Sequence, residues 1–201
     1  KDLEYKALQS QINSHFITTT LNAIRWLAII QKATNIKEII DAFSRLLKST
    51  WQVMEHDTTI EKELSNVQDY LFIQQITHSY NCEIFYDVAP DLMNAPCAKF
   101  ILQPLVENAY FHGIAPKGGV GTICISCQPE ANHRIRIQVT DDGVGMDQET
   151  QASVLHSPEN GNRFNGIGIS NIHQRLRLKY GEEYGISIES EPGSYTRITV
   201  V

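Results

Sequence analysis

The stretch FILQPLVENAYFHG, at residues 100–113, combines an apolar helical pattern with polar side chains that could do chemistry. Its apolar residues recur at helical spacing, which predicts a helix with one buried face. Gln103, Glu107, Asn108 and His112 nevertheless occupy the same turns. Such a helix is either an ordinary amphipathic helix with one exposed side or a helix that holds a ligand, and the rest of the chain decides between them.

A glycine-rich stretch, DDGVGM at residues 141–146, follows directly after a predicted strand. Gly143 and Gly145 permit positive φ angles and let a ligand approach the backbone closely. A buried carboxylate at Asp141 accepts a hydrogen bond from an exocyclic amine such as that of adenine. Taken alone, the pattern is equally compatible with a tight turn.

A second glycine-rich stretch, GIGISN at residues 166–171, precedes a predicted helix. Gly166 and Gly168 lie where the free N–H groups and the dipole of that helix favour a phosphate, and Asn171 follows at the same place. Each glycine pattern is weak evidence by itself. Their order along the chain, after a helix that carries an Asn-Ala pair, makes chance a poor explanation and indicates a nucleotide site.

His15 lies within the first predicted helix, in the stretch QINSHFITTTLN. A lone histidine at the edge of a helix seam is most often structural. Here Asn13, Ser14 and three consecutive threonines at residues 18–20 surround the imidazole, and all five are weak helix formers. A helix that tolerates such residues around one histidine points to a functional reason, and we take His15 as a candidate phosphate acceptor.

Composition restricts the class of protein. The chain has 201 residues, 42% of them hydrophobic and 20% charged, which is ordinary for a globular protein. Its formal net charge of −6 and the lack of a basic block argue against nucleic-acid binding. Cys124 and Cys127 form a lone CxxC in a predicted strand, which favours buried free thiols over a zinc site. No apolar run reaches the length of a membrane span.

The periodicity changes from helical to alternating near residue 82, which predicts an α+β chain. Three amphipathic helices are expected near residues 1–33, 36–47 and 58–78, with Thr58 and Glu61 at capping-box spacing. Strands and helices then alternate, and residues 141–165 are expected to be an irregular lid or loop. Expected later strands lie at residues 82–88, 122–128, 134–140, 184–190 and 196–201, and expected later helices at residues 100–112 and 167–180.

Two helices cannot bury both of their apolar seams alone, so the N-terminal hairpin is expected to form a dimeric four-helix bundle. The remainder is expected to form an α/β sandwich, a mixed sheet with helices on one face. We expect the hairpin to span residues 1–57 and the second domain residues 58–201, with the helix near residues 58–79 as a possible connector.

Four motifs together resemble the cytoplasmic kinase core of LytS/YesM-type sensor histidine kinases, over nearly the whole chain. ALQSQINSHFITTTLNAIRWLA is similar to that family's phosphoacceptor helix, and LQPLVENAYFHGI to its asparagine box. DDGVGM and GIGISNIHQRLRLKYG are similar to its two glycine boxes. The nucleotide half also resembles gyrase, MutL and the heat-shock chaperone ATPases, which lack the phosphoacceptor box.

The resemblance implies an ATP-dependent protein-histidine kinase, in which His15 takes the γ-phosphate and Asn108 binds Mg²⁺. The neighbour that takes the proton of His15 is left open, and Glu107, adjacent to Asn108, is a candidate. Thr19 lies one turn after His15, where polar residues of related kinases orient water in a phosphatase reaction, and we take it as a candidate for that role. For Glu107 the alternative is a plain carboxylate on the helix surface. The residues that the resemblance implies for ATP binding are Asn108, His112, Asp141, Gly143, Gly145, Arg163, Gly166, Gly168 and Asn171.

Several positions depart from the family pattern. Ser14 replaces the usual proline before the acceptor region, and Phe111 and Ser170 replace residues that are commonly basic. Arg163, Lys117 and Arg175 are candidates to supply the missing positive charge, and for Arg175 the alternative is a plain helix-surface residue. These departures leave a second hypothesis, a degenerate pseudokinase that acts as a dimeric nucleotide-binding signalling module, and a third, an ATP hydrolase of the chaperone or topoisomerase kind.

The resemblance also implies the partners and the location of the chain. It implies a homodimer and a response-regulator receiver domain that takes the phosphate onto an aspartate. We expect the chain to be the cytoplasmic portion of a longer membrane sensor, attached to the membrane only through segments that precede it.

Overall fold

The computed structural model describes residues 2–51, 57–156 and 167–201, which form a helical N-terminal part followed by a sheet covered by helices. The helices are α1 (Asp2–Ile30), α2 (Thr34–Trp51), α3 (Ile60–His78), α4 (Leu102–Glu107, continued by a π-helix at Asn108–Ile114), α5 (Gln148–His156) and α6 (Ile167–Tyr180). The strands are β1 (Asp57–Thr59), β2 (Asn81–Val88), β3 (Pro96–Ala98), β4 (Val120–Glu130), β5 (Arg134–Asp141), β6 (Ile186–Glu191) and β7 (Tyr195–Val200). Short 3₁₀ turns lie at Pro90–Leu92, Ala115–Lys117 and Ala131–His133.

Helices α1 and α2 form the hairpin that the sequence predicts. The chain reverses at Lys32, which has a φ of 56°, the left-handed conformation typical of a helix end. Asp41 of α2 accepts a hydrogen bond from Arg25 of α1 at 2.6 Å, which fastens the two helices to each other. It also accepts one from Lys37 of its own helix at 2.8 Å. None of the described helices has the length and apolarity needed to cross a membrane.

Helix α3 packs against both α2 and α4, so it joins the hairpin to the rest of the chain. Arg45 of α2 donates two hydrogen bonds to the carboxylate of Asp69 on α3, at 2.8 and 2.6 Å. This paired geometry fixes both the distance and the orientation between the two helices.

The predicted capping box at Thr58 and Glu61 is wrong by one residue. Thr59 is the N-cap of α3, and its side chain accepts a hydrogen bond from the N–H of Lys62. Thr58 is held in β1, where it pairs with Cys97 of β3. The small β1–β3 sheet, which the sequence analysis did not foresee, therefore decides where the helix begins.

The main sheet has five strands in the order β2-β4-β5-β7-β6. Strands β2 and β4 are parallel, and all other neighbours are antiparallel. A crossover that contains α4 joins β2 to β4, and a second crossover that contains α5 and α6 joins β5 to β6, with β7 between them. The sheet is therefore mixed, and α4 is carried directly over it, as predicted for the α/β sandwich.

One hydrophobic core joins the sheet to α3, α4 and α6. Each helix contributes the apolar residues that recur at three- and four-residue steps, and each central strand contributes alternate residues. Fully buried members of this core are Val67, Leu102, Leu105, Val106, Ile114, Ile123, Ile125, Val139 and Ile198.

Residues 141–156 are more regular than predicted, because they contain the nine-residue helix α5. Asp147 begins this helix by accepting a hydrogen bond from the N–H of Thr150 at 2.8 Å. Gln151 then donates to the carbonyls of Met146 and Ser190, which ties α5 to β6. The sequence analysis missed α5 because the helix is polar. Hydrogen bonds to Met146 and Ser190 hold it in place, rather than an apolar face. Residues 157–166 of the predicted lid lie outside the described part of the chain.

The two cysteines of the CxxC lie on opposite faces of β4. Cys127 is buried in the core and Cys124 is half-buried on the other face, and both are free thiols. Residues three apart in a strand point in opposite directions. These two sulfur atoms therefore do not converge on a common metal ion.

Leu176→Ala and Leu178→Ala test how the core holds α6. Leu176 is 4% exposed and Leu178 is 89% exposed, although both lie on the same helix. Leu176→Ala is expected to lower the free energy of unfolding by about 2–5 kcal/mol, because it leaves a cavity. Leu178→Ala should change it by less than about 0.5 kcal/mol. Urea denaturation measures both, and equal losses would contradict this packing of α6.

Candidate functional site

A cleft of about 500 Å³ opens between α3, α4 and the start of α6. Four of the residues predicted for the site line it together, namely Glu107, Asn108, His112 and Gly168. The other lining residues are Tyr70, Pro104, Phe111 and Ile169. The helix at residues 100–113 is thus both a core helix and one wall of a cleft, which is the second of the two interpretations that its sequence allowed.

The start of α4 is held by a buried carboxylate from α3. Glu63 is 1% exposed and accepts hydrogen bonds from the N–H groups of Phe100, Ile101 and Leu102, at 2.8, 3.0 and 3.2 Å. These N–H groups have no partner within the helix, and the helix dipole favours a negative charge there. Burial raises the pKa of Glu63, and the three N–H donors partly oppose that rise.

The polar residues of the asparagine box lie at the junction of an α-helix and a π-helix. Asn108 begins the π-helix, which ends at Ile114. A π-helix widens the turn and rotates the side chains that follow, and such turns are frequent at functional sites. Asn108 and His112 both reach the cleft, while Ala109 and Tyr110 are buried in the core.

The Glu107 carboxylate is oriented by two neighbours. Gln103, one turn earlier on α4, donates its amide N–H to Glu107 Oε1 at 2.9 Å. The hydroxyl of Tyr70 on α3 also hydrogen-bonds to Glu107. Burial raises the pKa of Tyr70, and the charge of Glu107 and this hydrogen bond raise it further. Glu107 is therefore a fixed group in the cleft wall rather than a freely rotating surface carboxylate.

Asp141 is buried at the end of β5, with 2% exposure. Its Oδ1 accepts a hydrogen bond from the N–H of Gly143 at 2.9 Å. Burial raises the pKa of Asp141 to about 7, the Gly143 N–H opposes this rise, and the neighbouring Asp142 adds to it. Asp141 is therefore the buried carboxylic acid that the sequence analysis expected as the hydrogen-bond acceptor for an exocyclic amine.

Two glycines allow the Asp141 turn to touch the end of the π-helix. A Cβ on Gly113 would collide with the Asp141 carboxylate, and a Cβ on Gly143 would collide with the backbone of Gly113. The N–H of Val144 donates to the carbonyl of Gly113 at 3.1 Å. The Asp141 turn is therefore fastened one residue beyond His112, but Asp141, Gly143 and Gly145 are not among the residues that line the cleft.

Gly145 lies farther along the same turn and is constrained by its backbone. Its φ is +69°, which residues with a Cβ rarely adopt, and a Cβ there would collide with the carbonyl of Glu191. This glycine lets the turn pack on the edge of β6.

The second glycine motif meets the cleft at the start of α6. Gly168 faces the Pro104 side chain of α4, and Asn171 is exposed one turn farther along α6. Gly166 and Arg163 lie outside the described residues. Among the described ranges, α6 therefore contributes Gly168 and Ile169 to the cleft wall.

His15 and Thr19 lie on α1 and are exposed to solvent. Neither is among the described residues that line the cleft. The helix remains continuous around His15, and Thr18 donates its hydroxyl to the carbonyl of Ser14 at 2.8 Å. The Ser14 carbonyl thus accepts the Thr18 hydroxyl as well as a backbone N–H of the helix, which is typical of threonine within a helix. An exposed imidazole is sterically accessible to an incoming ligand.

Tyr70 is a cleft residue that the sequence analysis missed. It lies seven residues after Glu63 on α3, so both side chains project from the same face of the helix, toward α4. That spacing was the available signal, but it becomes visible only once α3 is known to pack on α4.

Phe111 and Ser170, which replace commonly basic residues, have structural roles. Phe111 packs edge-on against His78 and Tyr110, with ring centroids 5.6 and 5.4 Å away. Ser170 is 4% exposed. Phe111 also lines the cleft, so the cleft has an aromatic ring where the family commonly has a basic side chain.

Asp141→Asn is expected to raise the free energy of unfolding by about 1–3 kcal/mol near pH 8, because it removes a buried charge but keeps an oxygen for the Gly143 N–H. The folded chain retains the Asp141 proton between pH 3.8 and about 7, where the unfolded chain has lost it. The stability of the unsubstituted chain therefore falls with rising pH across that range, and the advantage of the variant grows and then levels off above pH 7.

Urea denaturation at several pH values measures this effect. Asp142→Asn is the matched control, since Asp142 is exposed and accepts a hydrogen bond from the N–H of Thr122 at 2.9 Å. The control should stabilise the chain less than Asp141→Asn does, because it removes only the repulsion that Asp142 exerts on the Asp141 charge. A stability gain that is absent for Asp141→Asn, or equal for both variants, would contradict the raised pKa.

Two family models match the chain. A model described as histidine kinase matches residues 3–81. A second, described as histidine kinase-, DNA gyrase B-, and HSP90-like ATPase, matches residues 95–201. The second match includes the whole cleft wall formed by α4 and α6.

The chain is also similar to curated sensor kinases. It is 34% identical over 200 residues to sensor histidine kinase YesM of Bacillus subtilis (strain 168), covering 100% of this chain and 33% of that protein. It is 36% identical over 193 residues to sensor histidine kinase YpdA of Escherichia coli (strain K12), covering 95% of this chain and 33% of that protein. The chain thus spans about a third of the length of these relatives.

Solved structures support the predicted α+β fold. The catalytic domain of histidine kinase ThkA matches with a TM-score of 0.53 at 14% identity, over 72% of this chain and 95% of that one. The histidine kinase domain of the Erythrobacter litoralis EL346 blue-light activated histidine kinase matches with a TM-score of 0.52 at 12% identity, over 92% and 84%. These structures show the fold alone, whereas the second family model covers more than half of the chain. The chain therefore belongs to the histidine kinase-, DNA gyrase B- and HSP90-like ATPases, with a histidine kinase match over residues 3–81.

Proposed function

We propose that this chain is the core of a two-component sensor kinase, which transfers the γ-phosphoryl group of ATP to His15 and then to an aspartate of a response regulator. The observation that carries the proposal is the cleft in which Glu107, Asn108, His112 and Gly168 meet. The ATPase family implies ATP binding, and a cleft of about 500 Å³ with polar groups on one wall suits a nucleotide.

The adenine end of the proposed site lies at the Asp141 turn. The Asp141 carboxylate would accept a hydrogen bond from the exocyclic amine of adenine, and Gly143 and Gly145 would let the base approach the backbone. Gly143 suits this role because its Cα already lies against Gly113, where a side chain would not fit.

The phosphate end is proposed to lie toward the start of α6. Gly166, Gly168 and Asn171 would meet the phosphates through backbone and amide N–H groups, with Arg163 adding positive charge and His112 contacting the nucleotide from the opposite wall. The free N–H groups at a helix start make this arrangement favourable for anions.

Asn108 is proposed to bind Mg²⁺ through its amide oxygen. Mg²⁺ prefers oxygen ligands and is often bound by one protein group together with the phosphates of the substrate. The described residues contain no cluster of three or more His, Cys, Asp or Glu side chains suited to a metal, so phosphate oxygens would complete the shell. The ion, when bound, would neutralise charge on the transferring phosphoryl group.

The transfer step forms one bond and breaks one bond. An unprotonated ring nitrogen of His15 attacks the γ-phosphorus, an N–P bond forms, and the P–O bond to the departing ADP breaks. The proton on the other ring nitrogen must then leave, and we propose Glu107 as its acceptor. Its fixed position, held by Gln103 and Tyr70, supports this assignment. Thr19, one turn after His15, is proposed to orient the water of a phosphatase reaction.

His15 lies outside the cleft wall, so the proposal requires the hairpin and the ATPase domain to approach each other. We assign the hairpin to residues 1–57 and the ATP-binding domain to residues 58–201, with α3 as the connector. Because ATP is a substrate found in the cytoplasm, we propose that this chain lies on the cytoplasmic side of the membrane. The sensor and any membrane segment would belong to the part of the relatives' length that this chain does not span.

The hairpin is proposed to form a homodimer through its exposed apolar residues. Phe16, Leu27 and Ile30 are 70%, 57% and 73% exposed, and they recur along α1 at spacings of eleven and three residues. Ile24, Trp26 and Ile29 of the same helix are also exposed, and this much exposed apolar surface marks an interaction surface. Pairing two hairpins would bury it in a four-helix bundle.

His15→Gln tests the acceptor assignment. We expect the chain to gain acid-labile label from γ-labelled ATP and Mg²⁺, and the variant to lose it by at least a hundredfold, because an amide cannot form the N–P bond. His133→Asn is the matched control, since His133 is exposed and has a φ of 57°, which asparagine tolerates. Label that persists in His15→Gln refutes His15 as the acceptor.

Leu27→Glu tests the dimer. A charge in the apolar stripe would have to be buried without a partner, so we expect the variant to be monomeric at concentrations where the unsubstituted chain is dimeric. Light scattering coupled to gel filtration measures the mass. Leu178→Glu, on the exposed face of α6, should leave the mass unchanged. A monomeric unsubstituted chain, or a dimeric Leu27→Glu variant, would contradict the proposed interface.

A further inference from the structure

Helix α3 contacts α4 through polar side chains at both ends of the α-helical part of α4. Glu63 accepts the N–H groups at the start of α4, and Tyr70 hydrogen-bonds to Glu107, the last residue of the α-helical part. On its other side α3 is fastened to the hairpin by the paired hydrogen bonds between Arg45 and Asp69. A continuous set of oriented contacts thus runs from the hairpin to the cleft wall.

Glu63 is an unusual way to begin a helix. N-terminal N–H groups are normally capped by a residue that lies just before the helix. Here the residue before α4, Ile101, offers no side-chain hydrogen bond, and the acceptor comes from a different helix, 37 residues earlier in the chain. Because Glu63 is 1% exposed, water does not compete with its carboxylate for these N–H groups while α3 is packed on α4.

Phe100 is held from two sides in a strained conformation. Its φ of 56° lies in the left-handed region, which a bulky residue rarely adopts. Its N–H donates to Glu63, and its carbonyl and that of Lys99 accept hydrogen bonds from Arg175 of α6 at 3.2 and 2.6 Å. Strain of this kind persists only where the surroundings determine the backbone.

The Phe100 side chain also reaches toward the hairpin. It lines a groove of about 280 Å³ between α2 and α3, together with Phe43 and Leu47 of α2. Phe100 therefore lines the groove beside the hairpin and hydrogen-bonds to α3 through its N–H and to α6 through its carbonyl.

We infer that Glu63 is a positioning residue of the phosphoryl transfer, because it fixes the orientation of α4, and hence of Glu107 and Asn108, relative to the helices that carry His15. This inference rests on the proposed function. Glu63 itself lies at the opposite end of α4 from the cleft residues and contacts no part of the Asp141 turn among the hydrogen bonds described.

The inference predicts a separation between turnover and nucleotide binding. The proposed nucleotide contacts belong to α4, the Asp141 turn and α6, which Gly113, Val144 and Pro104 hold to one another without Glu63. Loss of the Glu63 charge should therefore leave the KM for ATP nearly unchanged. It should slow the transfer, which depends on how α3 and the hairpin are oriented toward α4.

Glu63→Gln is the direct test, since glutamine keeps the length of the side chain but loses the charge and one acceptor oxygen. We expect the kcat of autophosphorylation to fall at least tenfold and the KM for ATP to stay within twofold. Glu61→Gln, an exposed carboxylate in the same turn of α3, is the matched control and should match the unsubstituted chain in both constants. Circular dichroism establishes that each variant is folded.

Arg175→Gln provides a second route to the same junction if Glu63→Gln does not fold. Arg175 is exposed, and its removal frees the carbonyls of Lys99 and Phe100 without creating a buried cavity. It should lower kcat about threefold or more with an unchanged KM.

The outcomes separate this inference from the proposed function. A folded Glu63→Gln variant with unchanged kcat, or with a raised KM alone, overturns the positioning role. If that variant is unfolded, an unchanged kcat in Arg175→Gln overturns it. An unsubstituted chain that is never phosphorylated on histidine overturns the proposed function and this inference together, whereas normal labelling of both chains overturns this inference alone.

Discussion

The structure depends on how the first turn of α4 is satisfied inside the core. Three backbone N–H groups at residues 100–102 are removed from water there, and leaving them unpaired would cost several kcal/mol, on the order of 1–3 for each group. The Glu63 carboxylate accepts all three, and in return the helix start stabilises a carboxylate that is almost fully buried. This exchange fixes α4 on α3, and the cleft is built from α4.

The other end of the same helix depends on the absence of side chains. Gly113 and Gly143 approach so closely that a Cβ on either would collide with its neighbours. This contact brings the Asp141 carboxylate next to the residues of the π-helix. The proposed nucleotide site is therefore assembled along one helix, with the Glu63 carboxylate at the start of that helix and glycines at its end.

Much of the fold follows from periodicity in the sequence. Apolar steps of three and four residues predicted α1, α2, α3 and α6, and alternation predicted the five strands of the main sheet, since one buried face imposes each period. The same sequence also predicted that residues 107, 108, 112 and 168 act together, and the cleft unites them. The spacing of the glycines helped to predict the Asp141 turn, because a turn whose backbone touches another backbone has room only for glycine.

Other features could not be predicted because they depend on long-range contacts. Thr59 replaces Thr58 as a cap because β1 pairs with a strand 40 residues away, and α5 is stabilised by hydrogen bonds to β6 rather than by an apolar seam. The roles of Glu63 and Tyr70 appear only when α3 is placed on α4. The π-helix at Asn108–Ile114 has no signal in local composition, since it reflects how that segment packs between the sheet and α3.

Peptide mapping of the phosphorylated chain by mass spectrometry measures most directly which residue receives the phosphoryl group. After incubation with ATP and Mg²⁺, digestion at alkaline pH preserves an N–P bond. We predict one phosphorylated peptide, the one that contains His15, with the phosphate on the imidazole. Phosphate on a serine, threonine or aspartate, or on a histidine of the ATPase half, would contradict the account.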